Sequence, residues 1–242
     1  MNDISNITIL GLIFGMLGTT LGGIAGAFFN INSNKIISFI LEFAAGLMTS
    51  VICFDLIPHS LEFINLKLCI LGILLGIFTM VFFNETVNRK LKSASSFSSN
   101  LLKVGIVIGI GLTIHNLPEG LAIGAGFEAS SELGLSLAIA ICIHDFPEGI
   151  AMALPLKKGG INKNKVIFCT AMSGITTGIG ALIGAIIGNI STQMIGISLG
   201  FAAGAMLYIV SCEIIPESNT IYKGKISKFG NILGIILGLS II

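Results

Sequence analysis

Residues 104–128 read VGIVIGIGLTIHNLPEGLAIGAGFE, and residues 133–156 read LGLSLAIAICIHDFPEGIAMALPL. Each stretch is long and apolar enough for a membrane helix, which needs about 20 mostly hydrophobic residues. Each also carries one six-residue phrase at its centre: His115, Asn116, Leu117, Pro118, Glu119, Gly120, and, 29 residues later, His144, Asp145, Phe146, Pro147, Glu148, Gly149. Residues i and i+4 share a helix face, so His115 stands over Glu119 and His144 over Glu148. Two such faces turned toward each other supply two imidazoles and two carboxylates, with Asn116 and Asp145 one step round each helix. That is a nitrogen and oxygen cage suited to a divalent transition metal.

The rest of the composition agrees with a membrane solvent. Of 242 residues 54% are hydrophobic and only 10% charged, with a mean hydropathy of +0.99, the profile of an integral membrane protein. The 31 glycines fit helices that approach closely in lipid. A net charge of +1 gives no sign of a nucleic-acid partner. Cys53, Cys69, Cys142, Cys169 and Cys212 have no CxxC spacing, which argues against a disulfide framework or a thiolate zinc site. No basic residue precedes the apolar run Ile7 to Phe29, as expected of a first spanning helix rather than a cleaved signal peptide.

The chain reads as one all-α polytopic domain over 1–242, with eight spans near 7–29, 36–62, 66–87, 103–128, 133–156, 164–188, 193–217 and 226–242. The charge-free core of the last is short, so that helix must begin near Lys225 or be short or tilted. Residues 88–100, with Arg89, Lys90, Lys92 and five serines, read as a flexible cytoplasmic loop. Basic residues test the count, because cytoplasmic loops are enriched in Lys and Arg. With eight spans, Lys67 alone of the 13 basic residues falls on the opposite side from the others. Both termini are then extracytoplasmic, in a plasma membrane.

A second echo shows how the bundle is built. Phe43-Ala-Ala-Gly-Leu-Met48, followed by Asp55-Leu-Ile-Pro-His-Ser60, returns as Phe201-Ala-Ala-Gly-Ala-Met206 and Glu213-Ile-Ile-Pro-Glu-Ser218, at a constant offset of 158. An even-numbered and an odd-numbered span cross in opposite directions. Helices one to three (7–87) and six to eight (164–242) are therefore expected to form an inverted repeat, a 3+2+3 arrangement around helices four and five, with the substrate site at the repeat interface.

Ionisable groups at bilayer depth cost at least a few kcal/mol each. No Lys or Arg lies within either motif helix core, so a divalent cation is the expected counter-charge; hydrogen bonding between helices is the competing reading. Pro118 and Pro147 cannot donate to the carbonyls of Ile114 and Ile143, so a bend beside each histidine is expected. Gly120 and Gly149 read as close-packing positions, and Met48 and Met206 as core. Glu42, Glu62, Glu85, Glu128 and Glu132 read as solvated residues near helix ends.

Two HxxPEG phrases on consecutive helices, within eight spans and with both ends outside, resemble the ZIP family of zinc and iron permeases; the FAAGAM phrase is similar to its bacterial GufA-like branch. The resemblance covers nearly the whole chain. It implies a transporter rather than an enzyme, carrying zinc, and also iron, manganese, cobalt or cadmium, toward the cytoplasm without a prosthetic group. It implies a first metal site at His115, Glu119, His144 and Glu148, and a second at Asn116 and Asp145 bridged by the two glutamates. Many relatives carry a helix-six glutamate where this chain has Thr177, so the second ion is expected to bind poorly. Asp55, Glu213 and Cys212 are expected to act as transient ligands toward an aqueous face. Divalent ions and the bilayer are the expected partners, and a homodimer is one open assembly. A metal exporter and an intramembrane metallohydrolase are the alternatives; the latter usually shows HExxH, which does not occur here.

Overall fold

The computed structural model describes residues 3–29, 33–93 and 100–241. Among these, eight helical passages follow one another: α1 (Ile4–Phe28), α2 (Asn34–Phe63), α3 (Leu66–Ser93), α4 (Asn100–Ala129), α5 (Ser131–Lys158), α6 (Lys163–Gly188), α7 (Thr192–Ile221) and α8 (Lys225–Ile241). Among the described residues, α1, α2, α3, α5, α6 and α7 are long and apolar enough to cross a membrane, and α8 has 17 residues. At about 1.5 Å per residue α8 spans only about 25 Å, and it starts at Lys225, as its short apolar core requires. Helix α3 continues to Ser93, beyond its expected end, so residues 94–99 of the expected loop at 88–100 lie outside the described residues.

Glycines decide which helices touch. On α2 and α8, a Cβ at Gly46 would collide with the carbonyl of Asn231, and one at Gly234 with the carbonyl of Phe43. On α3 and α7, Gly204 meets the carbonyl of Ile73 and Gly76 that of Phe201 in the same way. These two sets differ by the 158-residue offset. The pattern holds for Gly22 of α1 against Phe146 of α5 and for Gly180 of α6 against Leu117 of α4. It also holds for Gly149 against the carbonyl of Thr19 and Gly120 against that of Thr177. In lipid, where tails are as apolar as leucine, such backbone approach drives association.

Two groups result. Helices α1, α4, α5 and α6 are joined by backbone approach of α1 to α5 and α6 and of α4 to α6, and α2, α3, α7 and α8 by that of α2 to α8 and α3 to α7. Between the groups contact runs through side chains: Met48, Ile52 and Leu56 of α2 and Met206, Ile209 and Val210 of α7 share one apolar cluster with Ile123 of α4 and Leu137 and Ile141 of α5. Outward faces are large and apolar, as at Leu74, Phe78 and Phe82 of α3 and Ile232 and Ile236 of α8.

Helices α2 and α7 are each interrupted by a π turn, at Ile52–Leu56 and Val210–Ile214, with Pro58 or Pro216 just after it. These turns are again 158 residues apart, and Asp55 and Glu213 hold the same place in each. Beyond them, the Ser60 hydroxyl donates to the Gly196 carbonyl (2.8 Å) and the Ser218 hydroxyl to the Ser38 carbonyl (3.2 Å), a second pair of equivalent contacts.

Glu42 departs from the sequence reading. It is 1% exposed rather than solvated, because it lies mid-helix on α2, where it pairs with Lys228 of α8 and accepts a hydrogen bond from Ser218 (3.3 Å). The cation that neutralises it is 186 residues away in sequence. Glu62, Glu85 and Glu132 are exposed and Glu128 half-buried; Met48 and Met206 are fully buried.

Replacing Gly46 by valine forces a methyl-bearing carbon into the α8 backbone and is expected to cost about 1–3 kcal/mol. Gly111→Ala, whose new Cβ meets only the Glu213 Oε2 at 3.8 Å, is expected to be silent. Thermal unfolding of the two variants in detergent checks this: equal midpoints would refute the packing argument.

Candidate metal centre

The motif helices continue through their prolines: α4 contains Pro118, and α5 contains Pro147 and Pro155. His115 and Glu119, one turn apart on α4, face His144 and Glu148, one turn apart on α5, as the i, i+4 spacing requires. His144 Nε2 lies 2.8 Å from Glu119 Oε1, and His115 Nε2 lies 3.1 Å from Glu148 Oε1 and 3.3 Å from Glu119 Oε1. Glu119 therefore joins both imidazoles. Two triads of donor atoms result, His115–Glu119–Glu148 and Glu119–His144–Asp145, each within 4.8 Å.

All six motif residues, Asn116 and Asp145 included, are at most 2% exposed. The cluster holds three carboxylates and two imidazoles, and among the described residues no Lys or Arg is paired with it. Glu119 Oε2, Glu148 Oε2, both Asp145 oxygens, Asn116 Oδ1 and Thr177 Oγ1 are buried without a hydrogen-bond partner. Buried carboxylate oxygens left in this state are costly unless a cation or donor meets them. Tetrahedral zinc with bonds of about 2.0–2.2 Å has ligand atoms about 3.3 Å apart. The imidazole–carboxylate spacings already found are close to that, so the donor set fits zinc with small side-chain adjustments.

Helix α6 closes one side. Its hydrogen-bonded run breaks at Gly174, between Ser173 and Ile175, and the Ser173 carbonyl accepts from Asn116 Nδ2 (3.0 Å) and from Thr176 (2.8 Å). This turns the Asn116 Oδ1 away from α6's backbone, unpartnered. Thr177 is fully buried and packs on Gly15 of α1, so a neutral hydroxyl occupies the place where the family resemblance expects a carboxylate.

A cavity of 480 Å³ leads away from the cluster. It touches His115 and Glu148, passes Glu213 and Cys212, and reaches Asn34, Lys158 and Thr220 at the end of the bundle where α2 begins and α5 and α7 end. Cys212 is exposed and Glu213 half-buried on this wall. Asp55 belongs to neither triad and does not line the cavity. It is 1% exposed, and its Oδ1 lies 3.0 Å from His59 Nδ1. The repeat-related acids thus differ: Glu213 is wetted by the cavity, while Asp55 is sealed beneath an imidazole. The sequence reading did not single out Asn84 of α3, whose amide donates to Glu213 Oε1 (3.1 Å) and to the Tyr208 hydroxyl (3.0 Å). Standing among the polar residues that end α3, it carried no signal apart from its neighbours.

Comparison with known proteins gives the same direction. Residues 89–242 match the family model described as ZIP Zinc transporter. The chain is 32% identical over 180 residues to "Zinc transporter GufA" of Myxococcus xanthus, covering 70% of each chain. It is 29% identical over 246 residues to "Zinc transporter ZupT" of an Enterobacter species, covering 97% of this chain and 95% of that one. To "Zinc transporter ZIP11" of Xenopus tropicalis it is 40% identical over 139 residues, 54% of this chain but only 41% of that longer protein. The doubled motif, the helical bundle around it and these matches agree: the chain belongs to the ZIP zinc transporter family.

Proposed function

We propose that this protein carries divalent transition metal, zinc foremost, across the plasma membrane into the cytoplasm, binding it at His115, Glu119, His144 and Glu148. The observation that carries this reading is the buried set of three carboxylates and two imidazoles whose free oxygens have no donor. A mixed imidazole and carboxylate set holds a metal firmly enough to strip its water yet releases it more readily than thiolates do. Asn116 and Asp145 are the candidates for a second, weaker site, with Thr177 supplying only a neutral hydroxyl. Iron, manganese, cobalt and cadmium suit the same ligands.

The repeat-related glycine, serine and π-turn contacts support an inverted 3+2+3 bundle, with repeats over 7–87 and 164–242 flanking the metal-site helices 103–156 in one domain. They also support alternating access. The α1/α4/α5/α6 group holds the metal ligands and meets the other group across a shared cluster of apolar side chains, the kind of interface along which helices slide. The Lys-rich loops mark the end reached by the cavity as cytoplasmic, which leaves both termini outside and makes this an inward-facing arrangement. In it Glu213, with Cys212 beside it, lies on the release path, and Asp55 waits on the closed side.

Purified protein in liposomes containing a zinc indicator is expected to take up zinc, whereas Glu119→Ala and His144→Ala fall to the rate of empty vesicles. Wild type that binds zinc but moves none under any gradient or pH would overturn the reading. Zinc is expected to bind with a stoichiometry near one per chain; two fully occupied peaks in anomalous scattering would refute the weak second site.

A further inference from the structure

Helix α3 faces lipid along most of its length, with Leu71, Leu74, Leu75, Phe78 and Phe82 exposed. Asn84 instead turns inward and lines the cavity. Its position follows from the packing beneath it. The close approach at Gly76 and Gly204 brings α3 and α7 near enough that, two turns further on, a side chain as short as asparagine spans the gap.

There the Nδ2 group donates one hydrogen bond to Glu213 Oε1 (3.1 Å) and one to the Tyr208 hydroxyl (3.0 Å). An ionised carboxylate only accepts, so the amide nitrogen, not its oxygen, must face Glu213. Tyr208 occupies the second N–H and holds the amide in that orientation. The two carboxylate oxygens consequently differ. Oε1 is clamped by α3, while Oε2 is directed at Gly111 of α4, one turn before His115 on the same helix face.

The geometry points to Asn84 as the positioning residue of the release step: it holds Glu213 so that one oxygen alone reaches for the ion leaving His115 and Glu148. A carboxylate with one oxygen engaged by an N–H binds a metal through a single bond, which makes a relay rather than a trap. Asp55, the repeat-related acid, has no such clamp from another helix; its partner is His59, one turn along its own. The two acids are therefore tuned differently. This inference rests on the assignment of Glu213 to the release path.

Zinc flux into liposomes holding the full chain, together with equilibrium zinc binding in detergent, tests it. Asn84→Leu and Asn84→Ala are expected to lower maximal flux about tenfold, the loss of one hydrogen bond to a charged group, with KM within about twofold of wild type and zinc stoichiometry unchanged. The double variant Asn84→Leu/Glu213→Gln is expected to be no slower than Glu213→Gln alone, since both act through one carboxylate. Wild-type flux in both Asn84 variants beside a slow Glu213→Gln overturns the role of Asn84 and leaves that of Glu213 standing. Wild-type flux in Glu213→Gln overturns both. Losses that multiply in the double variant place Asn84's effect elsewhere and overturn the proposal. Two substitutions of different size, each checked for zinc binding, separate misfolding from loss of the clamp.

Discussion

Negative charge held away from water, with no lysine or arginine among the described residues paired to it, is the constraint around which this molecule is arranged. Glu119, Asp145 and Glu148 lie fully buried between two helices, and four of their six side-chain oxygens have no hydrogen-bond partner. Each would be ruinous to place in lipid alone. They are tolerated because the motif helices are packed against α1, α2, α6 and α7, and because two imidazoles stand within 2.8–3.3 Å of Glu119 and Glu148. Contrast Glu42, equally buried, whose charge is met permanently by Lys228. An acid with a built-in cation is structural. An acid cluster without one is a place for a cation that comes and goes.

The scaffold satisfies two demands that pull against each other. The helices must pack tightly enough to exclude lipid, yet some interface must remain free to move. Glycine-to-carbonyl contacts meet the first demand for the pairs α1 and α5, α4 and α6, α2 and α8, and α3 and α7, within each group of four helices. Between the groups the surface is one of methionine, isoleucine and leucine, whose contacts are individually weak and geometrically forgiving. The π turn of α7 sits where this surface meets the cavity, and that of α2 holds the repeat-related place away from it. A widened turn re-aims the side chain it carries, and here it carries Asp55 and Glu213.

Much was legible before any coordinates. The i, i+4 spacing within each phrase put His115 with Glu119 and His144 with Glu148, since helix periodicity is local and both spans are too apolar to be anything but helical. The echo between Phe43 and Phe201 pointed to the repeat because identical packing tasks select similar small residues. Less legible was the extension of that echo to α1 with α6 and α3 with α8. There the equivalent positions keep only glycine spacing, and their carbonyl partners are arbitrary residues such as Phe146 and Leu117. Glu42 was misread for a related reason: a charge is judged solvated or buried by what faces it, and its partner lies on the last helix.

By itself, then, the chain determined the elements and the chemistry of the ligands, because both depend on residues within one or two helical turns of each other. Tertiary structure decided which oxygens stay unpartnered, which of the two repeat-related acids is wet, and that Asn84 reaches Glu213. Those are properties of distances between helices, set by backbone approach at glycines far from the groups concerned, and no local pattern encodes them.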